Sequence, residues 1–228
     1  TQKPGALISP MLYGSFFEET NRAGDGGIYA EMIQNRNFAD SETDPIAWCA
    51  EKAKLSRDRS KPLNESNKVA LRVQADAGAR IVNKGFVGGL QGIRPRVAGL
   101  DWQERAEKER PEIAVREGEE YELSMYAAAD APAKLVVAVE DESGERLAAQ
   151  EVEIANADWK RIQVKLVPNR TCANAVLAIL SPEKAEFLLD MVSLFPAKTW
   201  KNRPNGLRPD LMAMLEKLRP AFVRFPGG

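Results

Sequence analysis

Residues 121–127, YELSMYA, place apolar side chains at 121, 123, 125 and 127 and Glu122, Ser124 and Tyr126 between them. A period of two predicts a β-strand with one buried face. The same period recurs in residues 71–74, 135–139, 161–166 and 176–180. Turn residues lie between these segments, at Gly78, Gly118, 143–144, Asn156 and 168–169. Short alternating strands at this spacing indicate a mainly β fold, an antiparallel sandwich or jelly roll.

The two ends of the chain have a different character. Residues 13–17 read as a buried strand, followed by Glu18 and Glu19 and a glycine-rich turn at 23–27. Apolar residues then recur at helical spacing from Ile28 to Ile33, which predicts a helix. Near the other end, residues 208–220 predict a second helix and residues 221–225 a strand. A strand and helix at one end, matched by a helix and strand at the other, indicate a βαβ frame split by a β insertion.

Composition excludes several classes of function. The 228 residues contain 32 Lys and Arg against 33 Asp and Glu, so no basic field favours nucleic acid or an anionic membrane surface. Uncharged stretches are shorter than the roughly 20 residues of a membrane span. The chain has no His, which excludes Ser-His-Asp and Cys-His catalysis. Carboxylates are therefore the natural candidates for any chemistry.

Two cysteines, Cys49 and Cys172, lie far apart in the sequence. They are compatible with one disulfide or with two buried thiols, and the base behaviour of free cysteine favours thiols.

Two blocks resemble a known family. Residues 8–38, ISPMLYGSFFEETNRAGDGGIYAEMIQNRNF, look like the opening of glycoside hydrolase family 51 arabinofuranosidases, and residues 192–228 look like the segment where their barrel resumes. The residues between are similar in layout to carbohydrate-binding-module-like jelly rolls, except that residues 88–111 depart from the usual pattern. The resemblance implies barrel elements at 1–38 and 199–228 around a sandwich at 39–198.

In this family a (β/α)₈ barrel performs retaining hydrolysis with two Glu carboxylates about 5 Å apart. Both come from later barrel strands, so the resemblance implies that the catalytic pair is absent here and that the chain alone is inactive. Two strands cannot close a barrel. We therefore expect the terminal segments to pack together against the sandwich or to associate between chains.

The resemblance also implies roles for individual residues. Glu18 matches a position that hydrogen-bonds arabinose, and Arg224 matches one that braces the catalytic carboxylates. Gly227 and Gly228 would let the backbone approach the sugar. The alternatives are a salt-bridged acid at a strand end, an arginine that extends to solvent, and a simple turn. Glu19 is interpreted as structural.

The sandwich offers candidates for glycan stacking, of which Trp102 and Tyr126 are preferred. Trp159 is expected in the core, and Tyr121 on the opposite face of its strand from Tyr126. A structural calcium at Asp40 or Asp190 is a weaker expectation, and no other cofactor is predicted.

Partners follow from the same resemblance. The predicted partners are an arabinose-containing plant polysaccharide and the remainder of the barrel, with an extracellular, periplasmic or else cytoplasmic location. A carbohydrate-binding module without a catalytic partner and a structural spacer that binds nothing remain as alternatives. The low aromatic content of 7% favours the spacer over a strong binder.

Overall fold

A computed structural model describes residue 5 and residues 7–20, 22–87 and 110–226. This part of the chain is mostly β-structure, with one α-helix and one short 3-10 helix. The strands are β1 Ser15–Phe16, β2 Trp48–Asp58, β3 Ala70–Asn83, β4 Ile113–Val115, β5 Tyr121–Ala128, β6 Ala133–Glu140, β7 Arg146–Ile154, β8 Lys160–Leu166, β9 Cys172–Ser181, β10 Ala185–Pro196 and β11 Val223–Arg224. The 3-10 helix is Trp200–Asn202 and the α-helix, α1, is Pro209–Leu218.

Strands β2 to β10 form two layers that share the long strand β3. The first half of β3, residues 70–75, lies between β2 and β10, and the layer continues through β5 to β8. The second half, residues 79–83, lies between β2 and β9, and this layer continues through β6 to β7. Gly78 joins the halves with φ of 75°, a left-handed conformation that glycine adopts without strain. The predicted β-sandwich is confirmed.

The core lies between these layers and follows the period of two. Along β5, the side chains at 121, 123, 125 and 127 are buried, whereas Glu122 is exposed. The large, fully buried side chains come from both layers and include Trp48, Leu71, Ile81, Leu123, Met125, Leu135, Ile154 and Phe187. Burial of such side chains contributes about 1.5–3 kcal/mol each, which makes this core the main source of stability.

Residues 39–68 are polar and show no regular alternation in the sequence, yet they contain strand β2. Strand β2 pairs along its length with β3 and directs Trp48, Ala50, Ala53 and Leu55 toward the core. A β-bulge between Glu51 and Ala53, with Lys52 at φ of 54°, shifts the inward positions from even to odd numbers. The bulge interrupts the period of two, so the strand has no continuous alternation in the sequence.

The predicted helix that starts at Ile28 is also wrong, because residues 28–38 form turns and extended backbone. The Ala30 and Met32 amides donate to the carbonyls of Gly206 and Leu194, so this segment bonds to neighbours on both sides rather than to itself. Asn35 and Phe38 have φ of 52° and 56°, which no α-helix contains.

The terminal segments were expected to pack together against the sandwich or to associate between chains, and they pair with each other. Strand β1 pairs in parallel with β11, with Ser15 opposite Val223 and Phe16 opposite Arg224. Helix α1 has the predicted Pro209 in its first turn, and a left-handed Arg219 follows its last residue. The (β/α)₈ barrel itself stays a prediction. The unusual segment 88–111 lies mostly outside the described residues.

Candidate substrate-binding edge

The parallel pairing of β1 with β11 places Glu18 and Arg224 at the same edge of this small sheet. Both strands run in one direction, and the Phe17 amide donates to the Arg224 carbonyl at 2.9 Å. Glu18 follows directly and is half-buried, while Arg224 is exposed. The Arg224 guanidinium lies 5.5 Å from the centre of the Phe16 ring. In parallel α/β sheets and barrels, ligands gather at this carboxyl edge.

Glu18 and Glu19 have different surroundings. The Thr20 hydroxyl donates to Glu18 Oε1 at 2.9 Å, which leaves the second carboxylate oxygen available at the edge. Glu19 turns the other way, and its Oε2 accepts the Asp25 amide at 3.2 Å. Glu19 is therefore bonded to the turn after β1, whereas Glu18, among the residues described, bonds only locally, to Thr20, at the carboxyl end of β1.

A buried carboxylate, Glu31, holds residues 31–36 on strand β10. Its Oε1 accepts the amides of Met32, Ile33 and Leu194, each at 3.0 Å. Its Oε2 accepts the Ser193 hydroxyl and Arg36 Nη1, the latter at 3.1 Å. Burial raises the pKa of Glu31, and these hydrogen bonds and the Arg36 charge oppose that rise. Glu31 was not among the residues predicted from the sequence, although a lone acid inside the apolar run 28–33 was a usable signal.

Asp190 is a second buried carboxylate, at a β-bulge in β10 that spans residues 190–193. Its Oδ1 accepts the Met191 amide at 2.7 Å, and its Oδ2 has no hydrogen-bond partner among the residues that the structure describes. Burial raises the pKa of Asp190 to about 7. Tyr126 lies opposite Asp190 on β5, and Arg161 lies opposite Tyr126 on β8.

The residues proposed for calcium do not form a site with other acids. Within residues 7–20, 22–87 and 110–226, no group of three or more Asp, Glu or Cys side chains is arranged to hold a metal ion. Asp40 is exposed, and its amide donates to Asn35 Oδ1 at 3.1 Å. Although the residue as a whole is exposed, partial desolvation of its carboxyl raises the pKa of Asp40, and the charges of Arg22 and Arg36 oppose that rise.

The comparisons with known proteins cover nearly the whole chain. An extracellular exo-α-L-arabinofuranosidase of Streptomyces chartreusis is 34% identical over 98% of this chain and 24% of its own length. α-L-Arabinofuranosidase 1 of Arabidopsis thaliana is 31% identical over 98% of this chain and 32% of its own length. The solved structure of the arabinose-bound GH51 α-L-arabinofuranosidase MgGH51 superposes with a TM-score of 0.80, at 27% identity, over 100% of this chain and 36% of that one.

The chain is homologous to α-L-arabinofuranosidases of glycoside hydrolase family 51. The resemblance predicted from residues 8–38 and 192–228 is thereby confirmed. A family model described as a carbohydrate binding domain also matches residues 98–185. The chain spans about a quarter to a third of the length of these curated arabinofuranosidases.

The aromatic residues of the sandwich differ in exposure. Tyr126 is half-buried on the outer face of its layer, whereas Trp48 and Tyr121 are buried in the core. Trp159, expected in the core, is half-buried just before β8, and its indole Nε1 is buried without a hydrogen-bond partner in the described structure. Trp102, Gly227 and Gly228 lie outside the described residues, so their proposed roles stay predictions.

Two further expectations concern the sandwich and the membrane. Cys49 and Cys172 are half-buried and not joined by a disulfide, which agrees with the thiol interpretation. Among the described residues, no helix has the length and apolar character needed to cross a membrane.

Proposed function

We propose that this chain is the N-terminal part of a retaining α-L-arabinofuranosidase that removes arabinofuranosyl groups from arabinan or arabinoxylan. The observation that carries the proposal is the parallel pairing of β1 with β11, which brings Glu18 and Arg224 to one edge. These are the residues for which the family resemblance implies contacts in the active site. The identity of 34% over 98% of the chain supports the same conclusion.

Each residue then has a role that its chemistry suits. The ionised Glu18 carboxylate accepts hydrogen bonds from sugar hydroxyls. Arg224 carries a permanent positive charge and orients the two catalytic Glu carboxylates, which further barrel strands supply. Gly227 and Gly228 let the backbone approach the sugar closely. Because the catalytic pair comes from those further strands, the 228-residue chain alone is inactive.

Several apolar side chains on β1, next to β11 and on α1 are exposed. The exposed fractions are 54% for Phe16, 65% for Phe225 and 68% for Leu218 on α1. Exposed large apolar side chains of this kind are typical of an interface. The remainder of the barrel is the proposed occupant, because a two-stranded sheet has open edges that further parallel strands would pair with.

The test is release of nitrophenol from 4-nitrophenyl α-L-arabinofuranoside. The 228-residue chain and the same chain extended through a complete barrel are compared at equal concentration. We expect activity in the extended protein only. Activity of the short chain, or a well-folded extended protein without activity, would contradict the proposal.

Glycan binding by the sandwich is a second candidate, supported by the carbohydrate-binding-domain match at residues 98–185. Among the described aromatic residues, Tyr126 is the proposed stacking residue, because it is half-exposed on the outer face of its layer. Trp102 is the other proposed stacking residue. Affinity electrophoresis of the wild-type chain and of Tyr126→Ala in gels with arabinoxylan tests this role. Retarded migration of the wild type that the variant loses supports binding, whereas unretarded migration of both supports a structural spacer.

We also propose an extracellular or periplasmic location, with a cytoplasmic one as the alternative, because the substrate is a plant polymer. Fractionation of the producing cells with an arabinosidase assay distinguishes these compartments. A structural calcium at Asp40 or Asp190 remains a weaker proposal, tested by the effect of EDTA on the unfolding temperature.

A further inference from the structure

The two carboxylate oxygens of Glu31 bind different kinds of group. Oε1 holds backbone amides on both sides of the junction between residues 31–33 and strand β10. Oε2 faces Ser193 and the guanidinium of Arg36. We call Glu31, Arg36 and Ser193 the latch. A carboxylate with five donors is largely desolvated yet satisfied, so it holds its neighbours in one arrangement.

From the latch, contacts lead to the turn beside Glu18. Arg36 Nη1 lies 4.0 Å from Asp25 Oδ1, and the Arg36 guanidinium lies 5.5 Å from the centre of the Tyr29 ring. The Asp25 amide in turn donates to Glu19 Oε2, and Glu19 is the neighbour of Glu18. The path from the sandwich to the candidate edge therefore consists of hydrogen bonds and charge contacts between named atoms.

Backbone hydrogen bonds also hold the segment that carries the latch. The Val192 amide donates to the Arg36 carbonyl at 3.0 Å, so Arg36 is bonded to β10 by its backbone as well as through Glu31. On the other side, the Arg208 amide donates to the Ile28 carbonyl at 2.8 Å, just before α1. Residues 28–36 are thus held between the sandwich and the segment that leads into the helix.

We propose that Glu31 and Arg36 are positioning residues, which act through Asp25 and Glu19 to fix the direction of Glu18 at the substrate-binding edge. This inference rests on the proposed function for its effect on substrate. It gives the sandwich a task in the enzyme that requires no glycan binding, since the sandwich supplies Ser193 and the β10 amides.

Two conservative variants isolate the Arg36 link. Glu31→Gln retains Oε1 for the three backbone amides but places an amide N–H₂ opposite Arg36. Arg36→Gln removes the positive charge and retains part of the side-chain stem. Glu151→Gln, an exposed residue on β7, is the matched control for the first variant.

The first measurement is NMR-detected hydrogen exchange of the Asp25 amide in the 228-residue chain. We expect exchange roughly tenfold faster in Glu31→Gln and in Arg36→Gln, no further acceleration in the double variant, and no change in Glu151→Gln. Unchanged exchange in both single variants would overturn the proposal, whatever the enzyme assay shows.

The second measurement is steady-state hydrolysis of 4-nitrophenyl α-L-arabinofuranoside by the extended enzyme. Displacement of Glu18 weakens sugar binding, so we expect KM to rise about tenfold while kcat changes less than about twofold. A merely structural role would lower the concentration of active enzyme and leave KM unchanged, and that result would also overturn the proposal. An inactive wild-type enzyme would instead contradict the proposed function, while the exchange measurement still decides whether the latch acts on Asp25.

Discussion

Replacement of Asp190 by Asn should remove a pH-dependent loss of stability. Burial raises the pKa of the Asp190 carboxyl from 3.8 to about 7 in the folded chain. Between these values the folded state binds a proton that the unfolded state has released, so stability falls as pH rises through this window. It stays low above pH 7, where both states are ionised. The whole shift of the pKa from 3.8 to about 7 corresponds to a decrease of about 4 kcal/mol in the free energy of unfolding between low and high pH.

An experiment between pH 5 and pH 8 measures only part of this decrease in the free energy of unfolding. Between pH 5 and pH 8, the Asp190 carboxyl accounts for a decrease of about 2.5 kcal/mol in the free energy of unfolding. The introduced asparagine side chain would keep an acceptor for the Met191 amide, but its N–H₂ replaces Oδ2, which has no partner within the described part of the chain. That orphaned donor costs about 1–3 kcal/mol at every pH. The pH dependence of the difference, rather than its value at one pH, therefore carries the prediction.

The assay is guanidinium unfolding followed by tryptophan fluorescence at pH 5, 6, 7 and 8 and constant ionic strength. Wild type should lose about 2.5 kcal/mol more than Asp190→Asn across this range, which is roughly 5–10 °C in unfolding temperature for a chain of this size. Asp130→Asn, an exposed residue in the turn between β5 and β6, is the matched control and should follow wild type. If Asp190→Asn also follows wild type at every pH, Asp190 is ionised or solvated in the folded chain and the reasoning is refuted.

Three further variants test the sandwich. Arg80 Nε lies 2.8 Å from the buried carboxylate of Glu140. Arg80→Met should therefore lower the free energy of unfolding by about 3–5 kcal/mol, and by much less in the Glu140→Leu background. A double-mutant cycle of urea unfolding measures both values. Phe187→Ala leaves a cavity in the core and should cost about 3–5 kcal/mol in the same assay, without a change in the far-ultraviolet circular dichroism of the folded state. Gly85 has φ of 82°, and an added Cβ would lie 2.8 Å from Ile113 Cγ1, so Gly85→Ala should lower the unfolding temperature. Gly144 has φ of 85°, but an added Cβ would meet no atom within 4 Å, so Gly144→Ala should lower the unfolding temperature less.

The regular strands were predictable from the sequence, and the irregular ones only in part. Strand β5 keeps one period from end to end, and its pattern of burial follows that period. Strand β2 has a bulge at Lys52 that changes which residues face inward, so the pattern of 48–58 indicates no strand. A bulge adds a residue because of tertiary pairing, and a local sequence window contains no sign of the partner strand.

The candidate edge and the latch also differ in how far the sequence could predict them. The resemblance implied that Glu18 and Arg224 share an active site, which stays a prediction, and the β1–β11 pairing shows only that both lie at the carboxyl ends of these strands. The bonds of Glu31 to Ser193 and Leu194 join residues 162 and 163 positions apart in the sequence. The apolar spacing of 28–33 indicated an amphipathic helix because it matches the period of 3.6, but the helix would have exposed Glu31 on one side. Burial of this acid required donors from β10, which only the folded chain brings to it.

These contacts explain why the sandwich, which lies between the two terminal segments in the sequence, does not separate them. Residues 28–32 bond to Leu194 of the sandwich through Met32 and to the segment before α1 through Ile28 and Ala30. The Tyr29 ring packs edge-on against Phe195, with centres 5.2 Å apart, at the end of β10. The last strand of the sandwich and residues 28–32 are therefore in direct contact. Since β10 is hydrogen-bonded to both β3 and β5 in the core, residues 28–32 are held by a central strand of the sandwich rather than by an exposed loop.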